Sequence, residues 1–139
     1  VPYIFMHMKG MPQTMQNNPT YENILTELMF YFSQKLYHLR KLGVNDLMID
    51  VGFGFGKTQN HNYQLLQNLD YFLNLKVPIL TGISRKSMLY KPLNATANEA
   101  LNATTVANTI ALLNGTSILR VHDVKEAVEA VKIVELLNK

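Results

Sequence analysis

The chain has 139 residues, 47% of them apolar, enough for one domain with its own core. Its formal net charge of +3 is spread out rather than gathered on a face with interleaved aromatics, which argues against nucleic acid as a partner. Cysteine is absent, so disulfides and thiolate metal sites are excluded; no apolar run reaches bilayer-spanning length and no secretory pattern opens the chain, so a cytoplasmic protein without a membrane partner is expected.

The chain opens on Val1-Pro2 with no initiator methionine, as a processed product or a fragment of a longer protein would. Residues 3–8, Tyr-Ile-Phe-Met-His-Met, form a β-rich run stopped by Lys9-Gly10. After a polar, proline-bearing loop, Thr20 is the expected cap of a helix with Glu22 in its first turn. Leu25, Leu28, Phe32, Leu36 and Leu39 recur at helical spacing and mark its buried face, and Gly43 ends it.

A second apolar strand, 47–51, runs into Asp50-Val51-Gly52-Phe53-Gly54-Phe55-Gly56-Lys57, followed by a helix expected over 62–73. This loop is not a P-loop: Gly52 stands one residue too close to Gly56-Lys57-Thr58, and the spacing Gly52, Gly54, Gly56 also fails the dinucleotide fingerprint. Its glycines allow the backbone to approach a ligand, its phenylalanines can wall a planar ring, and Asp50 suits a row of N–H donors. A third strand over 77–81 breaks at Gly82 and leads through Ser84, Arg85 and Lys86 to a helix expected over 98–113, with Gly115 as terminator. A fourth strand over 117–121 is followed by Asp123, which with Glu126 reads as a capping box for the last helix.

Four strand–helix repeats imply a parallel sheet. Either an open doubly wound sheet or part of a (β/α)8 TIM barrel fits. The missing dinucleotide fingerprint weakens the first, and a full barrel needs about 250 residues. The polar residues favour a single pocket: His7 and Lys9, Asp50, Ser84 to Lys86, and Arg120 with His122 all fall at strand carboxyl ends, where parallel α/β folds collect their chemistry. Each has a plainer reading, Asp50 as a loop cap, 84–87 as a solvated basic turn, Phe53 as core and His122 as a hydrogen-bonded structural histidine.

Met6-His7-Met8-Lys9-Gly10-Met11-Pro12-Gln13-Thr14-Met15-Gln16, the 50–57 loop, Gly82-Ile83-Ser84-Arg85-Lys86-Ser87 and Leu119-Arg120-Val121-His122-Asp123-Val124 resemble, in order, four motifs of the dihydropteroate synthase family. The resemblance implies that residues 1–139 are the carboxyl-terminal half of a pterin-binding (β/α)8 TIM barrel, supplying strands five to eight. It implies a folate-biosynthesis transferase, a sulfonamide target, that joins 6-hydroxymethyl-7,8-dihydropterin diphosphate to p-aminobenzoate with release of pyrophosphate. It also implies Mg2+, bound by an asparagine outside this chain, and a homodimer. Val51 departs from the proline usual there, which removes no functional group.

By the same resemblance, Asp50 would receive the pterin's amino and ring N–H donors, Lys86 its carbonyl edge, and Met6 would floor the pocket. Phe55 would wall the pterin and Phe53 the p-aminobenzoate, with Ser84 near the latter and Gly82 allowing close ligand approach. Arg120 and His122 would hold the diphosphate, so Lys86, Arg120 and His122 are the expected catalytic side chains. Arg85 and Asp123 are expected to be structural. The alternatives are a non-catalytic pterin- or phosphate-binding half-barrel and another pterin-binding barrel such as a methyltetrahydrofolate methyltransferase, against which the Ser-Arg-Lys-Ser and Arg-Val-His-Asp motifs argue.

Overall fold

The computed structural model describes residues 1–9 and 20–137. Strands β1 (Tyr3–Met6), β2 (Leu47–Asp50), β3 (Ile79–Thr81) and β4 (Ile118–Leu119) form one parallel sheet in chain order. Between and after them run helices α1 (Ile24–Lys41), α2 (Gln59–Gln67), α3 (Ser87–Tyr90), α4 (Leu101–Leu113) and α5 (Val124–Leu137). The expected alternation holds, with shorter strands and shifted helix ends.

The helix boundaries follow local hydrogen bonding. Asn23, not Thr20, caps α1: its backbone is extended and its side-chain oxygen accepts from the Thr26 amide at 3.1 Å. Thr58 starts α2 earlier than expected, through a capping box in which His61 N–H donates to Thr58 Oγ1 at 3.2 Å and Thr58 N–H donates to His61 Nδ1 at 3.1 Å. The helix expected to continue to residue 73 stops at Asn68, and Leu69–Leu75 form a separate 3-10 segment. In the stretch expected to be loop, α3 and two 3-10 turns intervene, and the Thr96–Glu99 capping box delays α4 to Leu101.

The two faces of the sheet differ. Phe5, Ile49 and Ile79 pair side by side toward the helices and are 8%, 0% and 0% exposed. They meet the α1 stripe Ile24, Leu28, Phe32 and Leu36 and the aromatic Phe72 in one cluster. Phe32 lies edge-on to Phe5 and to Phe72, with ring centroids 5.7 and 5.9 Å apart, a geometry worth about 0.5–1.5 kcal/mol per pair beyond area burial. The opposite face carries Met6, Asp50, Leu80 and Ile118 in one row, because register partners in a parallel sheet share a face. Ile4 and Ile118 on that face are 48% and 41% exposed.

Candidate active site

The sheet register decides where the chemistry collects. Met6 pairs with Asp50, Asp50 with Leu80 and Leu80 with Ile118, so the four carboxyl ends are level. The ladder continues one step beyond the strands: His7 N–H donates to Asp50 O at 3.1 Å, and Arg120 N–H to Thr81 O at 2.9 Å. Arg120 therefore lies just past the expected strand interior rather than within it, and its side chain is exposed.

The glycine loop is built around a lysine. Gly52 has φ of +76°, and a Cβ there would sit 1.9 Å from the His7 carbonyl oxygen, so only glycine lets the loop pack against the end of β1. Lys57, 3% exposed, donates to the carbonyls of Gly52 at 2.8 Å, Phe55 at 3.0 Å and His7 at 3.4 Å. Three donors meet three carbonyls, which fixes the loop from inside. Burial pushes the Lys57 pKa down to about 7; Asp50 opposes the shift and Lys86 adds to it. Its value lay hidden in the residues that ruled out a P-loop: a lysine closing a glycine loop can bind the loop itself.

Asp50 is 4% exposed, and one carboxylate oxygen accepts the Gly52 amide at 2.8 Å. Burial raises its pKa, opposed by that amide and by Lys86, Arg120 and Lys57. The charges that act on Asp50 thus come from β2, β3 and β4 loops together. Lys86 donates to the Phe53 carbonyl at 2.5 Å, and its ammonium stands 4.9 Å from the Phe55 ring centroid, a cation–π distance. Burial brings its pKa down to about 8, against Asp50 and with Arg120.

Gly82, Ser84, Lys86, Arg120 and His122 line one cleft of about 220 Å³. A Cβ on Gly82 would fall 2.6 Å from Arg120 Nη2, so the missing side chain makes room for the guanidinium, not directly for a ligand as expected. Ser84 lies 2.7 Å from His122 Nδ1 through its Oγ, and accepts the His122 amide at 3.2 Å. Beneath the cleft, Arg85 donates to both Asp123 oxygens at 2.9 and 3.0 Å and to the carbonyls of Ala97 and Asn98. Its left-handed φ of 55°, uncommon for a residue with a side chain, is held by these bonds and by its own amide on Thr104 Oγ1. All of the Arg85 guanidinium bonds thus go to groups of the protein. The carboxylate of Asp123, expected to cap the last helix, joins the third and fourth strand loops: both its oxygens accept from the Arg85 guanidinium, which lowers its pKa.

Phe53 corrects an expectation. Its ring is 0% exposed within the main core, so it has no face for p-aminobenzoate; only its carbonyl, held by Lys86, reaches the site. Phe55 is half-buried beside Lys86, and half-buried Met6 lies next to Asp50 in the sheet. Residues 10–16 of the first motif lie outside the described residues. His7, left without a role by the sequence, is 7% exposed and edge-on to Tyr31 at 4.9 Å. Burial, with Lys57 and Lys9, drops its pKa to about 3, so it is neutral.

The profile of the pterin binding enzyme family matches residues 1–122. The chain belongs to that family. It is 42% identical over 137 residues to the dihydropteroate synthase of Escherichia coli strain K12, a match covering 97% of this chain and 49% of that protein. It superposes on the Yersinia pestis dihydropteroate synthase in a sulfonamide drug complex with a TM-score of 0.96 at 40% identity, covering 99% of this chain and 51% of that one. With Xanthomonas albilineans dihydropteroate synthase in complex with 7,8-dihydropteroate the TM-score is 0.89 at 30% identity, over 99% and 51%. The chain spans about half the length of these relatives, and its four βα units are half of the pterin-binding (β/α)8 barrel. Among its described residues there is no group of three or more His, Asp or Glu side chains that could hold a metal ion. None of the described helices is long and apolar enough to cross a membrane.

Proposed function

We propose that residues 1–139 are the carboxyl-terminal half of a dihydropteroate synthase. The observation that supports this reading is that Lys86 and Arg120, from two successive strand ends, line one small cleft and both act electrostatically on the buried Asp50 at the end of the strand before them. A carboxylate, an ammonium and a guanidinium so arranged suit a flat donor-rich ring bearing a diphosphate.

In this reading Asp50 turns one oxygen to the pterin's N–H donors while Gly52 holds the other. Lys86 meets the ring's carbonyl edge, and Phe55, beneath the same ammonium, supplies an apolar wall. Arg120 and His122 face the diphosphate. The pterin's exocyclic C–O bond breaks and its electron pair leaves with pyrophosphate. The p-aminobenzoate nitrogen then bonds to that carbon and gives up a proton. Arg120, His122 and Lys86 offset the charge that grows on the leaving oxygen, which lowers the barrier more than it tightens substrate binding. Magnesium enters the proposal only as a requirement met by residues beyond this chain, and no step here depends on it. A homodimer and a cytoplasmic location complete the reading, in which the whole enzyme belongs to the class of sulfonamide targets.

The test is pyrophosphate release from the pterin diphosphate and p-aminobenzoate. This polypeptide alone is expected to give none, and the chain extended upstream through its own coding sequence is expected to turn over. Tight pterin binding without turnover by the extended chain would favour the binding module.

A further inference from the structure

Ser84 was expected to lie near p-aminobenzoate, yet its hydroxyl is committed elsewhere. It is 7% exposed, and its Oγ accepts the backbone N–H of His122 at 3.2 Å while standing 2.7 Å from Nδ1 of the same residue. A hydroxyl has one proton to give. One lone pair is taken by the His122 amide, and no other hydrogen-bonded acceptor stands near among the described residues, so the hydroxyl places its proton in a hydrogen bond with the protein only by donating to Nδ1. A neutral imidazole that accepts at Nδ1 keeps its own proton on Nε2. Nε2 lies at the opposite edge of the ring, makes no hydrogen bond with the described residues, and belongs to a side chain that lines the cleft with Arg120 and Lys86.

We propose that Ser84 is a positioning residue for His122, fixing its imidazole as the Nε2–H tautomer so that the neutral ring offers an N–H donor to an anionic phosphate oxygen in the cleft. The ligand chemistry rests on reading this cleft as the diphosphate site; the tautomer does not. Both bonds from Ser84 fall on one residue, one on its backbone and one on its ring, so ring position and proton position are set together. The histidine then needs no extra proton to act as a donor, and the charge in the cleft stays with Arg120 and Lys86.

The experiment is nitrogen-15 NMR of the His122 ring in this chain, at a pH where the imidazole is neutral, assigned with a His122→Gln variant. The expected result is one tautomer, protonated at Nε2 with Nδ1 accepting. Ser84→Ala should relax the ring to the mixture of a solvent-exposed histidine, and Ser84→Thr, which keeps the hydroxyl, should restore the single form. An Nδ1–H ring in the unaltered chain, or a Ser84→Ala spectrum unchanged from it, overturns the proposal; the first needs no variant to fold. Inorganic pyrophosphate added in a second arm should shift the Nε2 resonance, at several-fold higher concentration for Ser84→Ala. If no shift occurs while the tautomer stands, the diphosphate reading fails and the positioning role survives.

Discussion

The two faces of one four-stranded sheet carry unlike duties. Toward the helices, Phe5, Ile49 and Ile79 are sealed under α1 and the aromatic pair Phe32 and Phe72, and the charged residues of the site are absent from that cluster. On the other face Met6, Asp50, Leu80 and Ile118 form a row whose ends are less covered, Met6 half-buried and Ile118 exposed, and the charged loops rise from its carboxyl edge. Stability is concentrated on the first face and chemistry on the rim of the second. The two can therefore be broken separately.

The largest expected effect belongs to the covered face. Phe32→Ala should cost about 3–5 kcal/mol, read as a lower urea midpoint, because a buried ring leaves a cavity. Ile118→Ser on the open face of this chain should cost far less, about 0.5 kcal/mol. Equal losses would erase the distinction between the faces.

A second effect comes from His7, at the seam between them. Its pKa is about 3 in the fold against the ordinary 6.5 of histidine, so the unfolded chain takes up a proton that the native chain refuses. The resulting stability is complete above pH 6.5 and is lost as pH falls toward 3, at up to about 1.4 kcal/mol per unit. Asp50, whose pKa is raised by burial, acts in the opposite sense, since the folded chain takes up that proton before the unfolded chain does as pH falls. Urea midpoints between pH 7 and 4 should fall for the unaltered chain and flatten for His7→Phe, which keeps a ring against Tyr31. An unchanged slope in the variant would place the acid sensitivity elsewhere.

On the rim, Gly82→Ala should leave the core intact and displace the Arg120 guanidinium, since the new methyl would stand 2.6 Å from Nη2. Pyrophosphate affinity should drop about tenfold, equal to about 1.4 kcal/mol, with little change in the urea midpoint. Binding to the unaltered chain should also weaken as pH rises through about 8, where Lys86 loses its proton.

The sequence exposed the rim more clearly than the packing beneath it. Charged residues at strand ends are discrete signals, and Asp50, Lys86, Arg120 and His122 were all named from them. Phe53 was harder, because alternation with glycines puts both phenylalanines in one pattern and only the folded loop shows which ring turns inward. Lys57 was missed because its partners are backbone carbonyls, which carry no sequence signature. The Ser84–His122 contact joins residues 38 apart in sequence and depends on the spacing of β3 and β4. Helix starts differed where Asn23 replaced Thr20 as the cap of α1, and where Thr58 began α2, a helix with no expected cap, ahead of residue 62.

The central claim is that the rim groups act on one bound molecule. Its most direct test is pyrophosphate release by the chain extended upstream, with and without Asp50→Asn. The account expects turnover by the extended chain and a fall of about 100-fold or more in the variant, comparable with losing a transition-state hydrogen bond. Turnover unaffected by the substitution, or none in the extended chain at all, would contradict it.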